Sequence, residues 1–207
     1  EKEYLQVIEQ QVKRISNILK HMLSLSRPAT AEYKWVDING LIDNTISLVK
    51  FDNRMRSVNI NNIPCENLPM VWLDPQAFEQ VFINVFVNAM DAMNAVQDVR
   101  EHVLKITREF KDEMVEIRIG DTGVGMTPEV CRLAFDSFFT TKEIGKGTGL
   151  GLFISYNLIA EVGGTIAMES EPGKGTTVII RVPIRPQGAL FSGTEDNFVN
   201  GERVAKK

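Results

Sequence analysis

Cysteine and histidine are nearly missing from this chain of 207 residues, with two of each. Cys65 and Cys131 stand far apart in no paired spacing, and neither His21 nor His102 belongs to a His-x-x-x-His pattern. A zinc centre, a redox pair and a transition-metal site are therefore not expected, and both cysteines read as reduced cytosolic thiols. An excess of positive charge is also lacking: 23 Lys and Arg against 27 Asp and Glu leave a formal charge of -4. That balance argues against broad affinity for a nucleic-acid backbone, which needs clustered cations. Long apolar runs are absent too. The richest stretch, Val81 to Val87, is broken by Asn84 and falls far short of the roughly 18 residues that cross a bilayer. No membrane contact by these residues and a cytoplasmic location are expected, with the parent protein free to be membrane-anchored. The opening EKEYLQVIEQ has neither an initiator Met nor the order of a signal peptide, which predicts a piece of a longer polypeptide.

What is present is enough apolar residue, 43% against 24% charged, to build one or two globular domains. Leu5, Ile8, Val12, Ile15, Leu19 and Met22 recur at steps of three and four, the seam of a packed helix that Ser26-Arg27-Pro28 ends. No second long helix of matching period follows, so this seam is expected to cover missing sequence or a second copy, making a homodimer. After this segment, residues 1–28, the pattern turns to an α+β domain over 29–186. It has a strand near Lys34–Ile38, a helix over Asn39–Phe51, and strands near Val58–Ile63 and Met70–Leu73. A long helix enters at Asp74-Pro75 and runs to about Val96. Two strands, Val103–Phe110 and Met114–Gly120, alternate around a polar turn. A Gly-rich, less regular stretch is expected over Asp121–Thr148, followed by a helix over Gly149–Val162. A last hairpin pairs Thr165–Ser170 with Thr176–Pro183. Residues 187–207 read as a disordered tail.

Four segments carry the chemistry. On the long helix, Gln80, Asn84, Asn88 and Asp91 fall at steps of four, four and three and share one stripe. Solvated faces favour Lys and Glu, whereas Asn is a poor helix former, so its repetition points to a site. An amide oxygen ligates a hard cation without adding negative charge beside a polyphosphate. Asp121-Thr122-Gly123-Val124-Gly125-Met126 then places a carboxylate at a strand end beside two glycines, able to accept from an exocyclic amine. Gly145-Lys146-Gly147-Thr148-Gly149-Leu150-Gly151-Leu152 puts glycine at every second position into a helix start, where free NH groups and the helix dipole suit phosphate. It is neither a P-loop nor a dinucleotide fingerprint. Between the two lies Phe135-Asp136-Ser137-Phe138-Phe139-Thr140-Thr141-Lys142, whose aromatics can seat a loop while Lys142 reaches phosphate.

The Asn-bearing helix, DTGVGM, FDSFFTTK and GKGTGLGL, in that order, resemble the N, G1, F and G2 boxes of the catalytic and ATP-binding domain of bacterial sensor histidine kinases. The resemblance covers about residues 70–186. Leu5–Pro28 is similar to the second helix of the family's dimerisation and phosphotransfer hairpin, and FFTTK resembles the nitrogen-regulation branch. It implies a Bergerat-type α/β sandwich, a mixed sheet covered by helices on one face and preceded by one long amphipathic helix. ATP and magnesium are the implied cofactors. Asn88 would be the magnesium ligand and Asn84 would line the polyphosphate. Asp121 would accept from the adenine amine, with Gly123 and Gly125 permitting its approach and Thr176 lending a hydroxyl. Gly147, Thr148, Gly149, Leu150 and Gly151 would face the phosphates, assisted by Lys142.

The resemblance also marks two departures: many members carry Arg where this chain has Thr140, and Lys or Arg where it has Asp91. The phosphoacceptor histidine of the family would lie upstream of Glu1, so no catalytic residue is assigned. The implied activity is γ-phosphoryl transfer to that histidine and relay to a response regulator, with this piece unable to label itself. The alternative is an ATP-hydrolysing or nucleotide-sensing module of the same superfold. Hydrolytic members use Glu one turn before the magnesium Asn, where this chain has Asn84, and an amide is no general base.

Overall fold

The computed structural model describes residues 31–98, 100–143 and 147–186, together with the backbone of 198–199 and 202–203. The seam helix expected over Leu5–Pro28, and with it the dimer, lies outside the described residues. So does most of the expected tail, in which Phe198–Val199 pairs antiparallel with Glu202–Arg203.

β1 (Lys34–Val36) leads into α1 (Ile38–Val49), where Asp37 caps the helix by accepting from Asn39 N at 2.9 Å. A 3-10 turn, Asn53–Met55, precedes β2 (Val58–Asn62) and β3 (Val71–Leu73). α2 (Pro75–Asn94) then starts as the sequence dictates: Pro75 takes the first turn, and Asp74 Oδ1 accepts from Gln76 N at 2.9 Å and Ala77 N at 3.3 Å. β4 (His102–Lys111) and β5 (Met114–Asp121) form a hairpin closed by Asp112 and Glu113, both at positive φ, the geometry a two-residue hairpin loop needs. α3 (Pro128–Leu133) and α4 (Gly151–Glu161) precede the hairpin of β6 (Thr165–Glu171) and β7 (Gly175–Pro183).

The main sheet runs β2-β4-β5-β7-β6, with β2 parallel to β4 and every other pair antiparallel. β1 and β3 form a separate two-stranded ladder, where Trp35 meets Trp72 edge-on at 5.4 Å and Arg185 lies 4.7 Å over the Trp35 ring. Alternation along the strands decides which face is covered. Leu104 and Ile106, Val115, Ile117 and Ile119, and Val178, Ile180 and Val182 are buried beneath the helices. Several intervening positions bear charge, including Glu116, which accepts from Arg181 Nε at 2.5 Å and from Arg118 at 3.1 Å.

α2 is the central element of the core. Phe78, Phe82 and Phe86 follow one another along it with centroids 6.4 Å apart, Phe78 edge-on to Phe82 and Phe82 stacked on Phe86, and Phe82 and Phe86 are wholly buried. Each such ring contributes about 1.5–3 kcal/mol through burial. The mixed sheet with helices on one face is as the sequence led one to expect. Two elements differ. The stretch 121–148 contains α3, whose Thr127 cap accepts from Val130 N; none of its six residues is buried, so it left no amphipathic stripe to read. The 3-10 turn after α1 was likewise hidden in a polar run.

Candidate functional site

The second half of α2, the loop leaving β5, the inner face of β5, β6 and β7, and the segment Phe139–Glu143 enclose a cavity of about 780 Å³. Its floor is apolar, formed by Ile119, Val178, Met168 and Leu152. That volume and lining suit a flat organic ligand held by a few polar groups.

At one end stands Asp121, the last residue of β5. Its Oδ1 accepts from Gly123 N at 2.8 Å and from Thr176 N at 3.3 Å. Burial outweighs these two donors and pushes the carboxyl up to about 6. Thr176 is buried, and its hydroxyl shares a 2.8 Å hydrogen bond with Ser170, whose Oγ also accepts from Met126 N at 2.8 Å. The loop beyond Asp121 is pinned on both sides. Val124 N donates to Ala92 O at 3.1 Å, and Gly173 N donates to Val124 O at 2.7 Å. Gly125 sits at φ +66, and a Cβ there would lie 2.0 Å from the Glu171 carbonyl oxygen. The close approach that requires glycine at 125 is thus to the β6–β7 turn. A Cβ on Gly123 would strike Ala92 of α2 at 2.6 Å.

The other end is charged. Lys142 Nζ donates to Asn88 Oδ1 at 3.1 Å and to Asp91 Oδ2 at 2.5 Å. The second oxygen of Asp91 accepts from Arg54 NH1 at 2.5 Å. Arg54 also grips Asp52, through Nε at 3.0 Å and NH2 at 2.6 Å, and this pairing holds the Asp52 carboxyl down to about 2. The two acids and two cations form a neutral chain along the mouth of the cavity.

The stripe predicted on α2 divides in two. Asn88 and Asp91 line the cavity, whereas Asn84 does not: it is buried, accepts from Gln80 Nε2 at 2.9 Å, and donates to Gly151 O at 3.0 Å and Ser155 Oγ at 3.2 Å. The structure gives Asn84 to the packing of α2 on α4. Asp121, Gly125, Lys142 and Thr176 also face the cavity, whereas Gly123, Gly147, Thr148, Gly149, Leu150 and Gly151 are not among the residues that line it. Gly147 packs against Thr140 and Lys142, and Gly149, at φ +66, lies against the backbone of Phe138, whose N donates to Gly149 O at 2.9 Å. α4 begins at Gly151, and its N-cap Leu150 supplies no side-chain cap, leaving first-turn NH groups for an anion or water.

The aromatics between the Gly clusters take different places. Phe139 lines the cavity, Phe135 packs on Tyr156 at 6.1 Å, and Phe138 is exposed. Arg54 is the site residue that sequence reasoning missed. The signal was indirect: an acid at 91, within a stripe of amides, requires a cation from elsewhere. Among the described residues no group of three His, Cys, Asp or Glu could hold a metal. A hard cation at Asn88 would complete its shell from ligand oxygens and water, and Asn88 Oδ1 already faces the ammonium of Lys142, so the donor fits.

Residues 73–186 match the family described as histidine kinase-, DNA gyrase B-, and HSP90-like ATPase. The sensor histidine kinase ZraS of Klebsiella oxytoca is 34% identical over 182 residues, covering 87% of this chain and 38% of that protein. The nucleotide-free catalytic domain of the histidine kinase ThkA superposes with a TM-score of 0.64 at 30% identity, over 75% of this chain and 98% of that one. ThkA in complex with the response regulator TrrA gives 0.72 at 26%, over 90% and 52%. Full-length ShkA in complex with AMPPNP shares the fold, at 0.73 and 22% identity over 91% and 40%. This chain spans 24–40% of the length of the first curated relatives it matches.

Proposed function

Because this chain belongs to the histidine kinase-, DNA gyrase B- and HSP90-like ATPase family, we propose that it is the ATP-binding kinase part of a two-component sensor histidine kinase. The observation that carries this reading is the polarity of one cavity: a half-buried carboxylate, Asp121, at the end of an apolar slot, and an amide oxygen with a lysine ammonium, Asn88 and Lys142, at the other. The slot takes a purine ring. Asp121 accepts from the exocyclic amine, with its Oδ1 already fixed by Gly123 N and Thr176 N. The triphosphate runs toward Asn88, where a magnesium ion would be held by the amide oxygen and by phosphate, and when bound would neutralise charge on the transferring group.

The residues of the chain supply positioning and field. The apolar floor excludes water from the ring, and Lys142 reaches the phosphates from Asn88. First-turn NH groups of α4, left without a side-chain cap, would add donors to the phosphates. The γ-phosphoryl group passes to an imidazole nitrogen of a histidine outside these 207 residues, ADP leaves, and the phosphoryl group is relayed to an aspartate of a response regulator. The ThkA–TrrA complex is what such a relay partner looks like in a relative. Asn84 supports transfer over hydrolysis, since an amide bonded into the α2–α4 contact cannot take a proton from water.

Calorimetric titration with a non-hydrolysable ATP analogue, with and without magnesium, tests the pocket on this chain and on Asp121→Asn. Micromolar, magnesium-dependent binding that is clearly weaker but still measurable in the variant is expected; no heat from the unaltered chain sinks the reading. Adding the missing histidine-bearing helix and radiolabelled ATP then tests transfer, with an acid-labile phosphoprotein as the expected product.

A further inference from the structure

Lys142 occupies an unusual position for a residue meant to reach phosphate. Its ammonium is spent on protein oxygens, one of them Asn88 Oδ1, the atom on which the proposed metal site depends. Lys142 must leave that oxygen before it can serve a metal, and the ease of leaving is set by Asp91, 2.5 Å away on the other side of the ammonium. Asp91 is not free to spend its whole charge on Lys142, because Arg54 takes its other oxygen, also at 2.5 Å. Arg54 is itself clamped by both oxygens of Asp52, so it keeps its place whatever Lys142 does.

We propose that Arg54 is a positioning residue of the nucleotide site: by holding one oxygen of Asp91 it weakens the grip of Asp91 on Lys142, so that Lys142 can vacate Asn88 when metal and nucleotide enter. The inference rests on the nucleotide reading above. It explains why an acid is tolerated beside a triphosphate, since Asp91 stays neutralised by Arg54 after Lys142 moves to the phosphates. Three side chains from three elements, the 3-10 turn, α2 and the segment after Phe139, thereby act as one unit.

The readout is the ratio of analogue affinities measured with and without magnesium by calorimetry on the 207-residue chain. Asp91→Asn loosens Lys142, and the ratio is expected to rise by roughly three- to fivefold, the scale of one partly exposed ion pair. Arg54→Met leaves the full charge of Asp91 to Lys142, and the ratio is expected to fall by a similar factor. Arg54→Lys restores it, and Arg54→Met has no further effect in the Asp91→Asn background, since it acts through that carboxylate. Simple field effects have the opposite sign, because deleting an acid weakens a nearby cation and deleting a cation strengthens it. Ratios that move in those opposite directions, or do not move, overturn the proposal while leaving the pocket standing. No binding by the unaltered chain overturns the nucleotide reading and this inference together.

Discussion

Asn84 Nδ2 donates to the main-chain carbonyl of Gly151, 3.0 Å away, and ties the middle of α2 to the first residue of α4. The same amide reaches Ser155 one turn further along, so two residues of one helix share a donor from its neighbour. Sites at both ends of this contact depend on it, because Asn88 is one turn on along α2 and the uncapped start of α4 is adjacent.

Truncating that amide leaves buried polar groups without partners. Asn84→Ala is expected to lower stability by about 1–3 kcal/mol, the penalty for buried groups left unsatisfied. The midpoint of urea unfolding measures it. Ser155→Ala should lose less, since the Gly151 carbonyl keeps Asn84. Equal midpoints for Asn84→Ala and the unaltered chain would show that the contact contributes nothing.

The architecture was legible because strand alternation and the Asp74-Pro75 entry are local signals, and the structure reproduces them within a few residues. The stripe Gln80, Asn84, Asn88 and Asp91 was legible as a stripe but not in its division of labour. Periodicity reports which face a residue is on and says nothing of the partner across that face, and α4, which claims Asn84, lies 67 residues on. Arg54 was invisible for the same reason, as the turn that carries it meets α2 only through the fold. The glycines were read as openings for a ligand, while at 125 the crowding comes from Glu171.

Two glycines with positive φ separate backbone strain from crowding. At Gly173, with φ +80, an added methyl group would meet nothing within 4 Å, so Gly173→Ala is expected to lose only the left-handed penalty, about 1–2 kcal/mol. Gly125→Ala meets the same penalty and a carbonyl oxygen at 2.0 Å, and must displace the β6–β7 turn. It should lose clearly more stability and weaken the analogue as well, because Asp121 is held from that turn through Thr176. Thermal unfolding of both variants checks the order; a Gly173→Ala loss as large as that of Gly125→Ala would refute it.

The aromatic row on α2 sets the core. Phe82 is wholly buried between Phe78 and Phe86, so Phe82→Ala is expected to cost about 3–5 kcal/mol through lost burial and a cavity. Phe51, which is 89% exposed, is the internal control, and Phe51→Ala should leave the stability within about 0.5 kcal/mol of its starting value.

Asp121 makes the pocket sensitive to pH in two opposed ways. Burial raises its carboxyl from 3.8 to about 6 in the folded chain. Below the lower value the group is protonated whether the chain is folded or not, and its contribution is complete. Between the two, the folded state keeps a proton that the unfolded state has released, so stability falls as pH rises, by on the order of 3 kcal/mol in total. Binding runs the other way. The ionised carboxylate is the stronger acceptor for an exocyclic amine, a neutral carboxyl keeping only its carbonyl oxygen, so affinity for the analogue should fall as pH drops below about 6. The phosphates of the analogue titrate nearby, and Asp121→Asn supplies the baseline, since its curve carries their titration alone. The difference between the two curves is therefore the quantity to follow by calorimetry from about pH 5 to 7.5, a window that brackets the raised value. If the curves run parallel, Asp121 does not hold the amine, and the purine end of the cavity has to be sought elsewhere.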